Sequence, residues 1–540
     1  ELNDNRAVYR SRLLLDEDLA ARSVSMAKIY NDLGFGQLAL NEGFKSLSVD
    51  PSNYSAHRFL ADSYAAMPRS EIGRVSELLV SQLLQPLNGN PVQPQLNGSG
   101  ILSEAGPGDI SMSEFNALFM RDGTHLLVSG VGGSNSTLGE EVILSGLSGR
   151  YSYSLGQFHH KTDGFRANND LDQTIYNGFV QAAITPNLSI QAEIRHEEKE
   201  TGDLRLRFFP SYFSLTEKNY VDTETYRMGL HYNLTTHSDI ISSVMYRNLE
   251  DNSIYPDDSL VWLLKGKGYS GELQYLLRRE QLNLVAGMGS FDGEETSIFN
   301  MAPEPPKESR HTNLYFYSHV ALPFHATLIV GGSNDWFDYP LKKENKFNPK
   351  MGLVWRPASS TTIRLAGFSA LKRSLISNQM IEPTQVGGFQ QFFDDDSGSE
   401  AKQYGFAVDQ IFSTQLFGGL EISGRDVVSP ATQFYPDGSS TIVNINSEEE
   451  QNRIYIYWTP YRSVGVSGEY KKQQFSSNRL DLSRYPEMTT ENFSLGISFH
   501  HSSGFFAKLK EVYFDQEGRF LNSSYVFEQG QDQFWLLDST

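Results

Sequence analysis

Residues 188–195 read Leu-Ser-Ile-Gln-Ala-Glu-Ile-Arg and alternate strictly between apolar and polar side chains. Successive side chains of a β-strand point to opposite faces, so the apolar residues share one face and the polar residues share the other. Residues 226–234 and 493–500 repeat this alternation. A period of two predicts strands that are apolar on one side and polar on the other.

Strand pairs of this kind recur along most of the chain, and their connections alternate between short and long. We predict short turns at residues 185–188, 235–239, 278–282, 322–326, 357–361, 412–415, 459–463 and 500–504. The connections between them are long, as at residues 197–223, 335–348 and 373–400. Tight periplasmic turns opposite long outer loops are typical of bacterial outer-membrane β-barrels.

The fold class predicted is therefore α plus transmembrane β, with a short helical domain before a large antiparallel barrel. We predict the barrel over residues 124–540, with about 18–22 strands, which lies within the range of outer-membrane barrels. The last residues, from Phe534 to Thr540, read as the first half of a strand. We expect the closing strands to be missing.

The composition excludes several classes of protein. The net charge is −20, whereas a nucleic-acid binder shows a concentrated basic face. No run of about 18 apolar residues predicts a transmembrane helix. The chain has no cysteine, which excludes thiolate zinc sites and cysteine nucleophiles.

The first 85 residues follow a helical rhythm. Met26, Ala27 and Tyr30 are echoed 34 positions later by Leu60, Ala61 and Tyr64. This stretch resembles the tetratricopeptide repeat (TPR) family, whose period is 34 residues. The residues that would pack in the repeat core are Ala27, Tyr30, Gly34, Ala39, Pro51, Ala61 and Tyr64. The alternative is an ordinary helical hairpin with small residues at its crossing points.

Residues 1–85 are thus predicted to form a TPR-like periplasmic domain, which ends in a helix over residues 71–85 with Ser70 as its N-cap. Residues 86–123 hold several prolines and glycines, and we predict a linker or a reduced plug-like segment there.

Two stretches carry a resemblance for the barrel. Residues 532–538 (DQFWLLD), with the strand spacing, resemble TonB-dependent-receptor-type barrels. Residues 114–121 (EFNALFMR), followed by residues 153–169, resemble a bacterial family in which TPR repeats precede such a barrel. A full receptor carries a long plug and a TonB box before its barrel, and residues 86–122 are too short for such a plug.

The alternation also predicts which residues face the lumen. The candidates are Gln191, Glu193, Arg195, Arg227, His231, Glu272, Gln274, Arg364, Glu469, Lys471, Lys508 and Lys510. They either hydrate the interior and brace one another across strands or form a mixed-charge channel lining.

We find no motif for catalysis and expect neither an enzyme nor a cofactor. The pairs His159-His160 and His500-His501 are adjacent, so their side chains diverge on a strand and cannot chelate one metal. The acidic run Asp394, Asp395 and Asp396 is a weak Ca²⁺ candidate, and a solvated loop tip is the favoured alternative.

The leading functional prediction is an outer-membrane conduit of porin or exporter type, with a periplasmic TPR module that docks a protein or a polysaccharide. One alternative is a TonB-dependent-receptor-like uptake protein whose plug is reduced or lies upstream. Another is an adhesin or enzyme that uses the long loops. The expected partners are outer-membrane lipid and the periplasmic ligand, with no nucleic acid.

Overall fold

A computed structural model describes residues 15–89, 118–119, 121–205, 207–256, 260–299, 302–303, 305–373, 379–434, 440–478, 486–524 and 526–540. Four α-helices come first: α1 (Leu15–Asp32), α2 (Gly36–Val49), α3 (Tyr54–Ala65) and α4 (Glu71–Leu84). They pack as two helical hairpins, α1 against α2 and α3 against α4. Among the described residues, no helix has the length and apolar character needed to cross a membrane.

The rest of the described chain is dominated by one 21-stranded antiparallel sheet, in which one member is the two-residue strand Ala302–Pro303. The first ten of its long strands are β1 (Gly123–Gly132), β2 (Leu138–Ser148), β3 (Tyr151–Thr162), β4 (Leu171–Thr185), β5 (Leu188–Thr201), β6 (Lys218–Thr235), β7 (Ser238–Tyr255), β8 (Leu260–Leu277), β9 (Leu282–Phe299) and β10 (Lys307–Leu322).

The second ten are β11 (Ala326–Tyr339), β12 (Lys342–Ala358), β13 (Thr361–Leu371), β14 (Glu400–Ser413), β15 (Leu416–Phe434), β16 (Ser440–Tyr461), β17 (Val464–Ser477), β18 (Glu487–His500), β19 (Phe506–Leu521) and β20 (Phe527–Ser539). Each long strand pairs with the next in sequence. The strand number falls in the predicted range.

Nine tight turns of the sheet lie on one rim, which we call the short-turn rim. All eight predicted short connections are tight turns here, and a ninth joins β2 to β3. The prediction for the opposite rim is partly wrong. Residues 335–348 were expected to form a long loop, yet β11 runs to Tyr339 and β12 begins at Lys342. Both faces of such a strand extension carry polar residues, so pairing continues after the hydropathy alternation has ended.

The faces of the wall are inverted relative to a soluble protein. On β5, Ile190 and Ile194 are 39% and 58% exposed, whereas Gln191 is 2% exposed and Glu193 is 9% exposed. Apolar side chains thus point outward, and polar side chains point into the enclosed lumen. This is the arrangement expected of a transmembrane barrel.

Within the described ranges, β1 is paired to β2 alone and β20 to β19 alone. Near these strands, the connection after β5 reaches across the rim opposite the short turns. The Phe208 ring stacks on Phe520 of β19, with 4.1 Å between ring centroids and 5° between planes. A Cβ on Gly530 would lie 2.4 Å from the Phe208 ring, so this close approach requires glycine there. The expectation of missing closing strands stays a prediction.

Candidate functional site in the barrel lumen

The four helices lie inside the barrel and are called the luminal helices below. At the start of α2, the Gln37 backbone N–H donates to the Tyr457 hydroxyl of β16 over 3.1 Å. At its end, the Asn283 side chain of β9 donates to the carbonyls of Ser48 and Val49 over 2.8 and 3.0 Å. Helix α2 therefore crosses the lumen from one wall to another.

The sequence predicted a TPR-like periplasmic domain over residues 1–85, whereas the described helices of this stretch contact the barrel wall. Gln37 and Asn41 are polar residues of α2. In the structure they face polar wall residues: Gln37 donates to Glu421 over 3.1 Å, and Asn41 donates to Asp409 over 2.8 Å. A polar lumen and water select the same residue types, so the sequence pattern does not distinguish them.

The wall also caps the C-termini of the luminal helices. The last carbonyls of a helix have no partner within it. Gln191 donates to the carbonyls of Gln82 and Leu83 at the end of α4, over 2.6 and 3.2 Å. Ser498 donates over 3.0 Å to the carbonyl of Leu33, which follows α1. Together with Asn283 at the end of α2, these wall side chains supply hydrogen-bond donors to carbonyls at the helix C-termini.

The N-terminus of α4 is capped by the acidic run. The Asp394 carboxylate accepts from the backbone N–H groups of Glu71 and Ile72, both at 2.9 Å. Ser70 precedes the helix as predicted, but its side chain makes no capping bond. A carboxylate at this position also complements the helix dipole.

The neighbouring carboxylate, Asp395, holds two guanidinium groups. It pairs with Arg69 over 2.5 Å and with Arg425 of β15. Burial raises the pKa of Asp395, but Arg425 and Arg69 outweigh that effect and bring the pKa below its ordinary value. Asp394 and Asp395 of the weak Ca²⁺ candidate therefore have partners within the protein, and Ca²⁺ binding stays a prediction.

Residues 379–399, between β13 and β14, also fold into the lumen and are called the inward segment. Met380, Ile381 and Thr384 are almost completely buried there. The segment holds a small hairpin in which Gln385–Val386 pairs with Phe389–Gln390. The sequence predicted a long outer loop over residues 373–400, because short and long connections alternate along the chain.

A buried ion pair anchors the inward segment to the wall. Its Glu382 is paired with Arg373 and accepts from the Tyr317 hydroxyl of β10 over 2.5 Å. Asn313, four residues before Tyr317 on the same strand, donates to the second oxygen of Glu382 over 3.2 Å. A buried carboxylate requires this number of partners to remain charged.

The inward segment and α4 share one apolar core with the wall. The α4 residues Leu79 and Leu83 belong to a cluster that includes Ile241 of β7 and Phe389 of the inward segment. Every residue of α4 from Ile72 to Leu84 is buried. The helix is thus enclosed on all sides, although its sequence has a single apolar stripe.

The predicted lumen-facing residues mostly meet other lumen groups. Arg227 pairs with Glu193 over 2.6 Å and also donates to Gln82 of α4 over 3.0 Å. Arg364 pairs with Asp409 and Glu421 over 3.0 and 3.1 Å.

Others bind the inward segment or one another. Glu272 accepts from the Ile381 backbone N–H over 3.2 Å, and Gln274 donates to the Ile381 carbonyl. Arg195 pairs with Glu197 over 3.2 Å, and Glu469 accepts from a tyrosine hydroxyl. Lys471 and Lys508 are half-buried, and Lys510 is exposed.

A charged chain at the short-turn rim connects the wall to the end of α2. His231 lies 3.0 Å from Asp239, which pairs with Arg278 over 2.8 Å. Arg278 in turn pairs over 3.2 Å with Asp50, the residue after α2. The predicted lumen residue His231 thus belongs to the contacts that hold the luminal helices.

The residues predicted to pack in a repeat core lie at the contacts between helices. Ala27, Ala39, Ala61 and Tyr64 are almost completely buried. Pro51 is also buried, and Tyr30 is half-buried. Gly34 has φ +80° in the turn between α1 and α2, a backbone conformation that favours glycine.

Neither histidine pair forms a metal site among the described residues. His159 contacts Asp172 at 3.0 Å, and His500 contacts the Asp32 carbonyl at 3.2 Å. The one metal-compatible group found in the described ranges is His196, Glu198 and Asp222 on the outer face. Its carboxylates contact different ring nitrogens of His196, so the group is not arranged around a single point. The sequence analysis did not single it out.

The fold is similar to several solved outer-membrane proteins. The ferripyoverdine receptor of the outer membrane of Pseudomonas aeruginosa has a TM-score of 0.57 and 11% identity, with 78% of this chain and 65% of that chain covered. The copper transporter OprC has a TM-score of 0.59 and 10% identity, with 78% and 72% covered. The FrpB iron transporter from Neisseria meningitidis has a TM-score of 0.61 and 11% identity, with 78% and 74% covered.

The chain thus spans less than two thirds of the length of the ferripyoverdine receptor. No protein-family model matches the sequence. No curated protein matches it either. At these identities the likeness establishes the fold, which is the barrel fold of TonB-dependent receptors predicted from the sequence.

Proposed function

We propose that the protein is an outer-membrane uptake transporter in which the luminal helices act as the plug of the barrel. The observation that carries this proposal is the position of α1–α4 inside the lumen, bonded to strands on several sides of the wall. An uptake receptor must keep its wide barrel closed until cargo is bound, and a barrel of this girth is otherwise a water-filled channel.

The contacts favour this uptake function over the porin or exporter conduit. An open conduit needs a continuous free lumen, whereas here the luminal helices and the inward segment share a buried core with the wall. The helices take the place of the plug that the sequence analysis expected to be reduced or to lie upstream. The surfaces of α2 and α4 contact the barrel wall. They therefore do not support the docking of a periplasmic partner on a TPR-like domain.

The location follows from the same wall. Apolar side chains such as Ile190, Met228 and Ile456 are exposed on the outer face of the strands. Lipid is the solvent that such a face requires. We therefore place the barrel in the bacterial outer membrane, with the short-turn rim towards the periplasm.

The cargo class is proposed from the similar structures. They are described as a ferripyoverdine receptor, a copper transporter and an iron transporter. We propose a metal ion or a metal chelate as cargo. Cells that produce the protein should accumulate radiolabelled iron(III) chelate or Cu²⁺ faster than cells without it. If cells with and without the protein accumulated each probe at the same rate, this cargo class would be contradicted.

The plug is tested with the full-length protein in planar bilayers. The native protein should pass no steady current, and moderate urea should open it by releasing the helices. Asn41 of α2 and Asp409 of β14 touch at 2.8 Å. Bridging Asn41→Cys to Asp409→Cys with a short bifunctional maleimide should prevent the opening. The Asn41→Cys single variant, treated identically, is the control. Equal currents with and without the bridge would overturn the plug assignment.

A further inference from the structure

One buried histidine lies where the luminal helices meet the inward segment. His57 of α3 has both ring nitrogens close to acceptors: Nδ1 lies 2.5 Å from Glu77 of α4, and Nε2 lies 3.0 Å from the Pro51 carbonyl. A neutral imidazole has one N–H donor, whereas the imidazolium has two. The doubly protonated ring is therefore the form that satisfies both acceptors.

The contact continues from Glu77 into the inward segment. The second oxygen of Glu77 accepts from the Thr384 hydroxyl, and that hydroxyl lies 3.3 Å from the Tyr64 hydroxyl of α3. Glu77 is 3% exposed and Thr384 is 1% exposed. A chain of side chains thus links α3, α4 and the inward segment in a site closed to water, where an unpaired polar group is costly.

We infer that protonation of His57 fastens the luminal helices to the inward segment, and that loss of this proton loosens the contact. The inference rests on the proposed plug role, because it describes how the plug is held. When the proton leaves, either Pro51 or Glu77 loses its donor. A buried Glu77 carboxylate without a cationic partner is costly, so the junction that it forms with Thr384 is destabilised.

The direction of the pH effect follows from the surroundings of His57. Burial lowers the pKa of His57, but the charge of Glu77, its hydrogen bond, the Pro51 carbonyl and the charge of Asp50 together raise it above its ordinary value. Asp50 itself pairs with Arg278. Burial also raises the pKa of Tyr64, so its hydroxyl stays neutral throughout.

A histidine with a raised pKa stabilises the folded contact fully below its unfolded pKa of 6.5. That stabilisation is lost as the pH rises through the higher folded pKa. The luminal helices should therefore be held firmly at acidic pH and loosened at alkaline pH. The periplasm equilibrates with the external medium, so the contact would respond to the surroundings of the cell.

The test uses a single reporter thiol in the full-length protein. The chain contains no cysteine, so Ser76→Cys introduces its sole thiol. Ser76 is completely buried and accepts from the Met380 backbone N–H over 3.2 Å, at the junction of α4 and the inward segment. Its rate of thiol labelling reports opening of that junction and requires no transport.

Between pH 6 and pH 9, the labelling rate of Ser76→Cys should rise about ten times more in the otherwise native protein than in a His57→Gln background. A factor of about ten is expected when one charged buried hydrogen bond is lost. The His57→Gln background controls for ionisation of the thiol itself. Equal pH dependence in the two backgrounds would overturn the inference.

If His57→Gln does not fold, Glu77→Gln serves as the second variant and should label rapidly at every pH. Slow labelling of that variant would also overturn the inference. An exposed thiol, Ser503→Cys, controls for the intrinsic reactivity of the label at each pH. Failure of the bilayer experiment with normal labelling results would reject the plug role and leave the His57 contact established.

Discussion

The luminal helices and the inward segment fill one lumen, but the wall holds them by different chemistry. The wall reaches the helices at C-terminal carbonyls, as Gln191 and Asn283 do, and through polar side chains, as Asp409 does with Asn41. The inward segment is held through a buried side-chain charge, Glu382 with Arg373. A neutral hydrogen bond contributes about 1 kcal/mol, whereas breaking a buried ion pair costs about 3–5 kcal/mol. The inward segment is therefore the firmer element, and the helices are the removable one.

The largest effect should come from Glu382→Gln. This change leaves Arg373 buried, with Glu272 at 3.8 Å as its remaining ion-pair partner among the described residues, and we expect the inward segment to be destabilised by about 3 kcal/mol. A single cysteine at Gln385, which is buried in the segment, should then label roughly 100-fold faster. Glu294→Gln removes the same charge from an exposed pair with Lys267 and should change labelling little.

Gly405→Ala should have the next effect. A Cβ on Gly405 of β14 would lie 2.4 Å from the ring of Phe389 in the inward segment. The ring is rigid and enclosed, so the overpacking should cost about 1–3 kcal/mol, measured with the same thiol. Gly367→Ala on β13 is the matched control, because a Cβ there meets no atom within 4 Å. Equal effects of the two changes would refute the claim that Phe389 is firmly seated.

Asp394→Ala tests the join between the two elements. The change removes the acceptor at the N-terminus of α4, and we expect α4 docking to weaken by about 1 kcal/mol. Labelling of Ser76→Cys at constant pH provides the measurement. Asp394→Asn keeps an acceptor and should lose less. A larger loss with Asn than with Ala would contradict the capping role.

Gly229→Ala should have the smallest effect. A Cβ on Gly229 of β6 would lie 2.6 Å from Cδ2 of Leu83, at the end of a flexible side chain of α4. Because Leu83 can change rotamer, we expect a loss below about 1 kcal/mol in the same Ser76→Cys assay. If Gly229→Ala exceeded Gly405→Ala, the helices would be the firmer element and the comparison would be reversed.

The strands were predictable because each carries its own signal. The alternation in residues 188–195 arises because the wall has an apolar outer face and a polar lumen face. That local pattern is sufficient to predict the position of the strand. Turn positions such as residues 278–282 followed from where the alternation stopped. The strand extensions near Tyr339 were missed, because water surrounds both faces there and the alternation disappears while pairing continues.

The contents of the lumen were not predictable from the same reasoning. The helices themselves followed from their apolar spacing, but their place inside the barrel depends on partners far away in sequence, such as Gln37 with Glu421. The capping of α4 by Asp394 illustrates the limit. Ser70 is the preferred residue type at that position, and only the three-dimensional neighbourhood shows that a distant carboxylate takes its role.

The stacked rings of Phe208 and Phe520 have a consequence for the time course of folding. Phe208 lies in the connection after β5, whereas Phe520 lies in β19, far along the chain. Contacts between residues so distant in sequence form slowly, since the loop between them must be closed first. The connection after β5 can therefore dock on Gly530 only after β19 and β20 have formed. A tryptophan at residue 208 should shift its emission when it packs on Phe520, and that shift would mark the docking of this connection on β19.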